Sequence, residues 1–241
     1  MTRFALYSDI HGNSAALDAV VADIEASGIE SRYCLGDLVG YGPDPSGVIS
    51  RVRATGDPVV RGNYDDGVGN RRGQCGCYYG TPEAKEDGAA SYAFTDVALD
   101  DDEHAYLAGL LDEIRFDTGG LHVLLVHGSP RRINEYLLLD RPEAHLAKLA
   151  READADVVCF GHIHIPYHRV VPLEDGGVAH FISDGSVGKP KDGDPRACWA
   201  LVEVESGEVA VEFRRVAYDV DAVVAATREA GLPDRLAEAF R

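Results

Sequence analysis

The sequence predicts an α/β fold with mixed sheets, on three observations. Apolar strands alternate with helix-period segments in the first half, glycine-marked hairpins replace them in the second, and the chain is long enough for a full core. Its 241 residues are 45% apolar and 27% charged, the composition of an ordinary globular protein and not of a disordered acidic one. A prior of roughly one domain per 150 residues allows one large domain or two small ones. No Pro/Ser-rich linker divides the chain, so residues 1–241 are expected to form a single domain.

Taken in order, Arg3 to Ser8 reads as a short strand. Asn13 to Ser27 reads as a helix capped by Asn13 and stopped by Gly28, because Ala16, Leu17, Val20, Val21 and Ile24 share one face. A strand at Arg32 to Leu35, a helix near Ser46 to Ala54 and a strand at Pro58 to Arg61 complete a βαβαβ pattern. Residues 67–84 are rich in Gly and Arg without periodicity and are expected to form a long loop near a site. Helices are expected at about 85–99 and 101–112, with the acidic run Asp100 to Glu103 at a helix start, where it suits the dipole. Strands at Ile114 to Phe116 and Leu121 to Val126 flank a Gly-Gly turn, followed by a helix from Pro142 to Ala153 and a strand at Val157 to Phe160. Two hairpins turn at Asp175-Gly176-Gly177 and Ser206-Gly207. The C-terminal segment 219–241 is helical in pattern, broken at Gly231 to Pro233.

Charge and cysteine usage exclude several classes. With 23 Lys plus Arg against 41 Asp plus Glu the formal charge is −18, so a long nucleic acid or an anionic membrane is not the expected partner. Met1 to Asp9 meets a charge too early for a signal peptide, and the longest uncharged run, Thr118 to Pro130, is too short to span a bilayer. A cytoplasmic protein is expected, with a homo-oligomer left open. Five cysteines fit a reducing compartment better than a disulfide framework. Cys75-Gly-Cys77 reads first as a pair of loop thiols, with a redox pair or extra metal ligands as alternatives.

The chemistry is concentrated at strand ends. Five apolar segments run into metal-ligand residue types: one into Asp9 and His11, one into Asp37, one into Asn63, one into His127 and one into His162 and His164. In an open α/β sheet such ends converge on one place. Spacing two in extended chain puts Asp9 with His11, and His162 with His164, on one face each. Gly12, Gly36, Gly62, Gly128 and Gly161 adjoin these residues, as expected where backbone bends sharply. Two Asp, one Asn and four His are too many for one tetrahedral ion and suit two ions of mixed N/O preference. A lone His at a strand end is usually a satisfied polar group, but seven such residues at five ends are not explained that way. His104, His122, His145, His168 and His180 lack this setting and read as structural.

The ordered segments Ser8-Asp-Ile-His-Gly-Asn13, Gly36-Asp-Leu-Val-Gly-Tyr-Gly-Pro43, Gly62-Asn-Tyr-Asp65, Val126-His-Gly-Ser129 and Gly161-His-Ile-His164 resemble the signature of the calcineurin-like metallophosphoesterase superfamily, and within it the small bacterial and archaeal phosphodiesterases. The resemblance implies a four-layer α-β-β-α sandwich with two mixed β-sheets. It implies that Asp9, His11 and His164 hold one ion, that Asn63, His127 and His162 hold the other, and that Asp37 bridges them. The ions are divalent, with manganese placed first and iron, zinc or nickel as alternatives. The implied activity is hydrolysis of small phosphodiesters, or of monoesters, by a water that the two ions activate.

One position departs from the family pattern. The histidine that usually follows the Asn ligand and protonates the leaving group is Tyr64 here, with Asp65 retained. A phenol is a poorer acid at neutral pH, so Asn63, Tyr64 and Asp65 are carried as candidate catalytic residues and aryl leaving groups are expected to be preferred. A packed aromatic is the alternative for Tyr64. Arg61 and Asn63 are candidate substrate contacts, with a surface salt bridge as the alternative for Arg61. Ser183 and Asp184 replace the first two residues of a family loop that commonly begins Asn-Pro-Gly-Ser, which leaves contacts from that loop unassigned. Two other readings compete: a non-catalytic metal-binding scaffold on the same fold, and a phosphatase for phosphoproteins or dinucleoside polyphosphates.

Overall fold

Period-two alternation along the strands decides the layering. The structure is a computed structural model describing residues 1–241. In β1 (Thr2–Tyr7), Phe4 and Leu6 face one way and Ala5 and Tyr7 the other. The same split recurs in β4 (Leu121–Leu125), β5 (Val157–Phe160) and β8 (Ala197–Glu205). Phe4 and Leu6 meet Val123, Leu125, Val157, Cys159, Ala200 and Val202 in a buried cluster between two sheets. Ala5, Tyr7, Trp199 and Leu201 pack instead on α1 (Ser14–Ala26) and α2 (Pro45–Thr55) through Leu17, Val20, Ile24 and Val48. Leu124, Val158 and Phe160 pack on α6 (Glu143–Ala153) through Leu146 and Leu149. Helices, sheet, sheet and helix therefore stack as four layers, with the central strands β1, β4, β5 and β8 packed on both faces.

The first sheet is ordered β2-β1-β8-β9, with β2 (Ser31–Cys34) parallel to β1 and β9 (Glu208–Val216) antiparallel to β8. The second is ordered β3-β4-β5-β7-β6. Here β4, β5 and β7 (Val178–Ser183) run parallel, while β3 (Ile114–Thr118) and β6 (Tyr167–Pro172) pair antiparallel at the two edges. Both sheets are mixed, as the switch from helical crossovers to hairpins predicts. Between them in sequence lie α3 (Asn63–Gly69), α4 (Pro82–Ala98) and α5 (Asp101–Ala108), and the chain closes with α7 (Val220–Glu229) and α8 (Asp234–Glu238).

Several boundaries differ from expectation. The strand at 58–61 is reduced to two isolated bridges, Cys34 with Val59 and Val60 with Leu111, because the chain turns at once into Gly62 and α3. The loop at 67–84 is shorter, since α3 runs to Gly69 and α4 begins at Pro82 behind a Thr81 cap. Asn-Tyr-Asp-Asp-Gly-Val-Gly has no apolar period, so α3 left no helical signal in the sequence. The helix expected to 112 stops at Ala108 because Leu111 is drawn into the bridge with Val60. Cys75 and Cys77 are not free thiols: they are joined in a disulfide, their Cα atoms 5.4 Å apart across the Gly76 turn and within bridging reach. Cys34, Cys159 and Cys198 are free and buried. No helix is long and apolar enough to cross a membrane.

Trp199 ties two layers together. Its ring is fully buried in the helix-facing cluster and its indole N–H donates to Asp23 of α1 at 2.9 Å. Trp199→Ala is expected to cost about 3–5 kcal/mol. The readout is a lower urea midpoint at unchanged slope; a loss below about 1 kcal/mol would show that α1 does not depend on this contact.

Candidate functional site

Every candidate ligand follows immediately on a strand or bridge, and the backbone there is strained. Asp9, His11, Asp37, His162 and His164 all have φ between 51° and 66°, in the left-handed region that non-glycine residues avoid. Each costs on the order of 1 kcal/mol or more and persists only where surrounding structure over-determines it. This overturns the extended geometry expected for the two spacing-two pairs. Asp9 and His11 do reach one place, but His162 and His164 diverge into two different groups. Close backbone approach adds a second constraint: a Cβ on Gly161 would collide with Ser8 and with the Asp9 carboxylate, and one on Gly188 with the Ile10 carbonyl.

The imidazoles are aimed by hydrogen bonds to main-chain carbonyls. The Nδ1 atoms of His11, His127 and His164 lie 3.0, 2.7 and 2.5 Å from the carbonyl oxygens of Val39, Leu35 and Lys189. Donation there fixes the Nδ1 proton and turns each Nε2 inward. Asp9 Oδ2 accepts from the Ser8 hydroxyl at 2.6 Å and from the His162 N–H at 2.9 Å, leaving Oδ1 free. Asn63 is oriented the same way: its Nδ2 donates to the Cys75 carbonyl at 3.0 Å and to Cys77 Sγ at 3.2 Å, so Oδ1 faces His127 Nε2 at 3.1 Å.

The result is two groups of inward-facing acceptors, Asp9 with His11 and His164, and Asp37 with His127 and His162, each with ligand atoms within 4.8 Å of one another. Asp37 Oδ2 stands between them, 3.7 Å from His11 Nε2 and 3.4 Å from His127 Nε2. All seven candidate residues are buried. The arrangement fits cations on its own chemistry. His11 Nε2 and His164 Nε2 lie 3.2 Å apart with both Nδ1 protons already committed, so two lone pairs oppose each other. Asp9 Oδ1 and His162 Nε2 have no partner at all. Buried acceptors without donors are costly, and a divalent ion in each group is the ligand that resolves them.

Protonation follows burial and charge. Burial holds His11 and His162 down to about 3 and His164 down to about 4, so all three are neutral and able to ligate at pH 7. Burial also opposes charge on His127, but Asp37 outweighs it and pushes that imidazole up to about 10. Burial likewise works against the ionised form of Asp9, yet His164 and the neighbouring imidazoles hold its carboxyl well below the usual range.

The neighbouring candidates have different places. Asp65 is buried, its Oδ2 accepting from the N–H groups of Asp37 and Gly62 and its Oδ1 from that of Leu38, at 2.8 to 2.9 Å. It stitches the Asp37 turn to the start of α3. Burial, with Asp37 nearby, pushes it up to about 7. Tyr64 is fully buried; its hydroxyl pairs with Ser91 Oγ at 3.2 Å, and its ring packs on His11 and Tyr41. Burial pushes the phenol well above its ordinary range, so the geometry gives Tyr64 the packed-aromatic place and not access as a proton donor. Its own N–H donates to Asp37 Oδ1 at 2.8 Å. Arg61 is taken up by the Ala108 carbonyl, Asp66 and Asp112, which is the salt-bridge alternative and points to no substrate contact. His104, His122, His145, His168 and His180 pair elsewhere, as expected of structural histidines.

Two features escaped the sequence. Asp184 is fully buried with Oδ1 2.8 Å from Ser8 Oγ, which in turn touches Asp9; burial pushes this carboxyl up. Its only signal was the replacement of a family residue. The loop after it is bound to the site by Gly188 N–H and Ser186 Oγ, both donating to the Asp9 carbonyl.

Because His127 carries a proton below about pH 10 in the metal-free protein, an ion entering its group must displace that proton. Affinity at that group is expected to rise about tenfold per pH unit between pH 6.5 and 9, measured by metal titration calorimetry with proton counting. An affinity independent of pH across this range would refute the pairing of His127 with Asp37.

Comparison with known proteins agrees with this geometry. The model of the calcineurin-like phosphoesterase superfamily domain matches residues 2–207. A metallophosphoesterase crystal structure from Sphaerobacter thermophilus is 30% identical, covers 99% of this chain and 98% of its own, and superposes with a TM-score of 0.77. The crystal structure of a hypothetical protein from Pyrococcus horikoshii shares the fold at 23% identity and TM-score 0.83, covering 100% and 98%. An uncharacterized protein of Methanocaldococcus jannaschii is 29% identical over 98% of this chain and 96% of its own length. The four-layer mixed-sheet fold, the match over most of the chain and the two facing groups of metal-ligand residues lead to one conclusion: the chain belongs to the calcineurin-like phosphoesterase superfamily.

Proposed function

We propose that the chain is a metal-dependent phosphodiesterase for small phosphoesters, working as one domain over residues 1–241 with two divalent ions, manganese first among them. The observation that carries this reading is the pair of buried acceptor groups on either side of Asp37, with Asp9 Oδ1 and His162 Nε2 unpartnered. Asp9, His11 and His164 would hold one ion, Asn63, His127 and His162 the other, with Asp37 shared. When bound, such ions lower the pKa of water to near neutrality and offset charge on the phosphoryl oxygens. The chain's part is to fix the acceptors, through the main-chain carbonyls behind each imidazole and the disulfide loop behind Asn63.

Protonation of the leaving group has no evident donor in Tyr64, whose hydroxyl is sealed against Ser91. Esters whose leaving group needs no proton are therefore favoured, which points to aryl over alkyl phosphodiesters.

The test is turnover by protein stripped of metal and reloaded with manganese, iron, zinc or nickel, on aryl diesters, aryl monoesters and 2′,3′-cyclic nucleotides. Aryl diesters should turn over fastest. Asp37→Asn should lower turnover more than about 100-fold, beyond what loss of a group that merely orients a ligand costs. Tight ion binding without turnover on any ester would replace this reading with the scaffold. A separate variant, Tyr64→Phe, should leave the aryl-to-alkyl ratio unchanged, because the buried hydroxyl is bonded to Ser91 and packed beside Tyr41; a fall in alkyl turnover alone would return the phenol to the reaction.

A further inference from the structure

The chain has few cations that are not already neutralised. Arg71, Arg72, Arg131 and Arg196 each close on a carboxylate, with Asp101, Asp66, Glu135 and Asp194. Among the four lysines, Lys148 pairs with Glu152, while the exposed Lys85 of α4, like Arg132, closes on none. Lys189 and Lys191 pair with no carboxylate, although the chain carries 41 acidic residues.

Their position is fixed by the site itself. The Lys189 carbonyl accepts from His164 Nδ1 at 2.5 Å, its N–H donates to Ser186 Oγ at 2.9 Å, and the Lys191 N–H donates to the His164 carbonyl at 3.1 Å. Asn13 holds the same turn through the Gly188 carbonyl at 3.0 Å. The Lys189 ammonium lies 4.8 Å from the centre of the Tyr41 ring, and that ring packs edge-on against His11 at 4.9 Å, which places the charge at the rim of the first group. The Lys191 N–H bond to the His164 carbonyl starts that side chain beside a residue of the first group. Lys189 is half-buried and the Lys191 side chain is open to solvent. A loop bonded to Asp9, Asn13 and His164 thus carries two ammonium groups beside the ligand residues, neither of them in a salt bridge.

We propose that Lys189 and Lys191 form an anion subsite over the two clusters that binds the phosphoryl oxygens of the substrate turned away from them. Ammonium groups on flexible stems act as point charges for phosphate and impose little angular selection, so the subsite recognises the phosphoryl group and not what it is esterified to. Affinity gained here is shared by the substrate and by released phosphate. The proposal rests on the phosphoesterase reading of the clusters.

Orthophosphate is the probe, titrated by calorimetry into the full chain loaded with manganese. Lys189→Met and Lys191→Met keep the aliphatic stem and remove the charge. Each is expected to weaken orthophosphate binding about tenfold, the factor of one charge-assisted hydrogen bond at a partly exposed position, with ion stoichiometry and melting temperature unchanged. Lys→Arg at either position is expected to restore most of the affinity, and the lysine-dependent part should weaken as salt rises. Equal orthophosphate affinity in the wild-type and both Met variants overturns the subsite while aryl diester turnover leaves the phosphoesterase reading standing. A loss of affinity that tracks loss of bound ion overturns it too, since the loop would then only support His164. Lysine-dependent phosphate binding in a protein without turnover on any ester retains the subsite and overturns the enzyme reading instead.

Discussion

The structure turns on the opposition of buried lone pairs. His11 Nε2 and His164 Nε2 point at each other across 3.2 Å, and both have spent their ring proton on a main-chain carbonyl. Asp9 Oδ1 and His162 Nε2 face the same region without a donor. With the ring protons placed on those carbonyls, a cation in each group would satisfy the inward-facing acceptors together. The left-handed backbone at five ligand positions, the carbonyls behind the imidazoles and the Asp65 carboxylate that holds the Asp37 turn all maintain that opposition. Strain at those positions is tolerable because two sheets, packed through Phe4, Leu6, Val123 and Leu125, bring the strand ends to one place and leave the turns no other path.

The acidic character of the chain is compatible with an anionic substrate because electrostatics here is local. Two divalent ions in these groups would carry about four positive charges against the two carboxylates of Asp9 and Asp37. Distant acidic groups are screened beyond roughly 8 Å at physiological salt. Most surface arginines are spent on neighbouring carboxylates, so they extend no basic track along which a long polyanion would lie. Free positive charge is found in the turn after Asp184, at Lys189 and Lys191.

Much was legible in the sequence for a simple reason: ligand types at the ends of apolar segments are a one-dimensional pattern. Asp9, His11, Asp37, Asn63, His127, His162 and His164 could be picked out because β1, β2, β4 and β5 are short apolar runs that end abruptly in polar residues beside glycine. What failed were inferences that needed conformation. The spacing-two pairs were read as extended, whereas left-handed turns send His162 and His164 to different groups. For Tyr64 the sequence offers an acid or a packed aromatic, and the Gly40 turn and Ser91 give it the second place. Cys75-Gly-Cys77 offers loop thiols first and a redox pair or extra metal ligands as alternatives, and only the folded loop joins the two sulfurs.

The sequence by itself determined the α/β class, the seven candidate ligand residues and the resemblance to the family, since each is written in residue type, order and spacing along one strand or turn. Only the tertiary structure decided which atoms oppose which: Asp37 between two groups, Asn63 turned by the disulfide loop, Asp184 beneath Ser8, and two unpaired lysines held against His164. These depend on contacts between residues up to 177 positions apart, such as Ser186 with Asp9. Which residues meet across such separations follows from the stacking of two sheets, and no local periodicity encodes it.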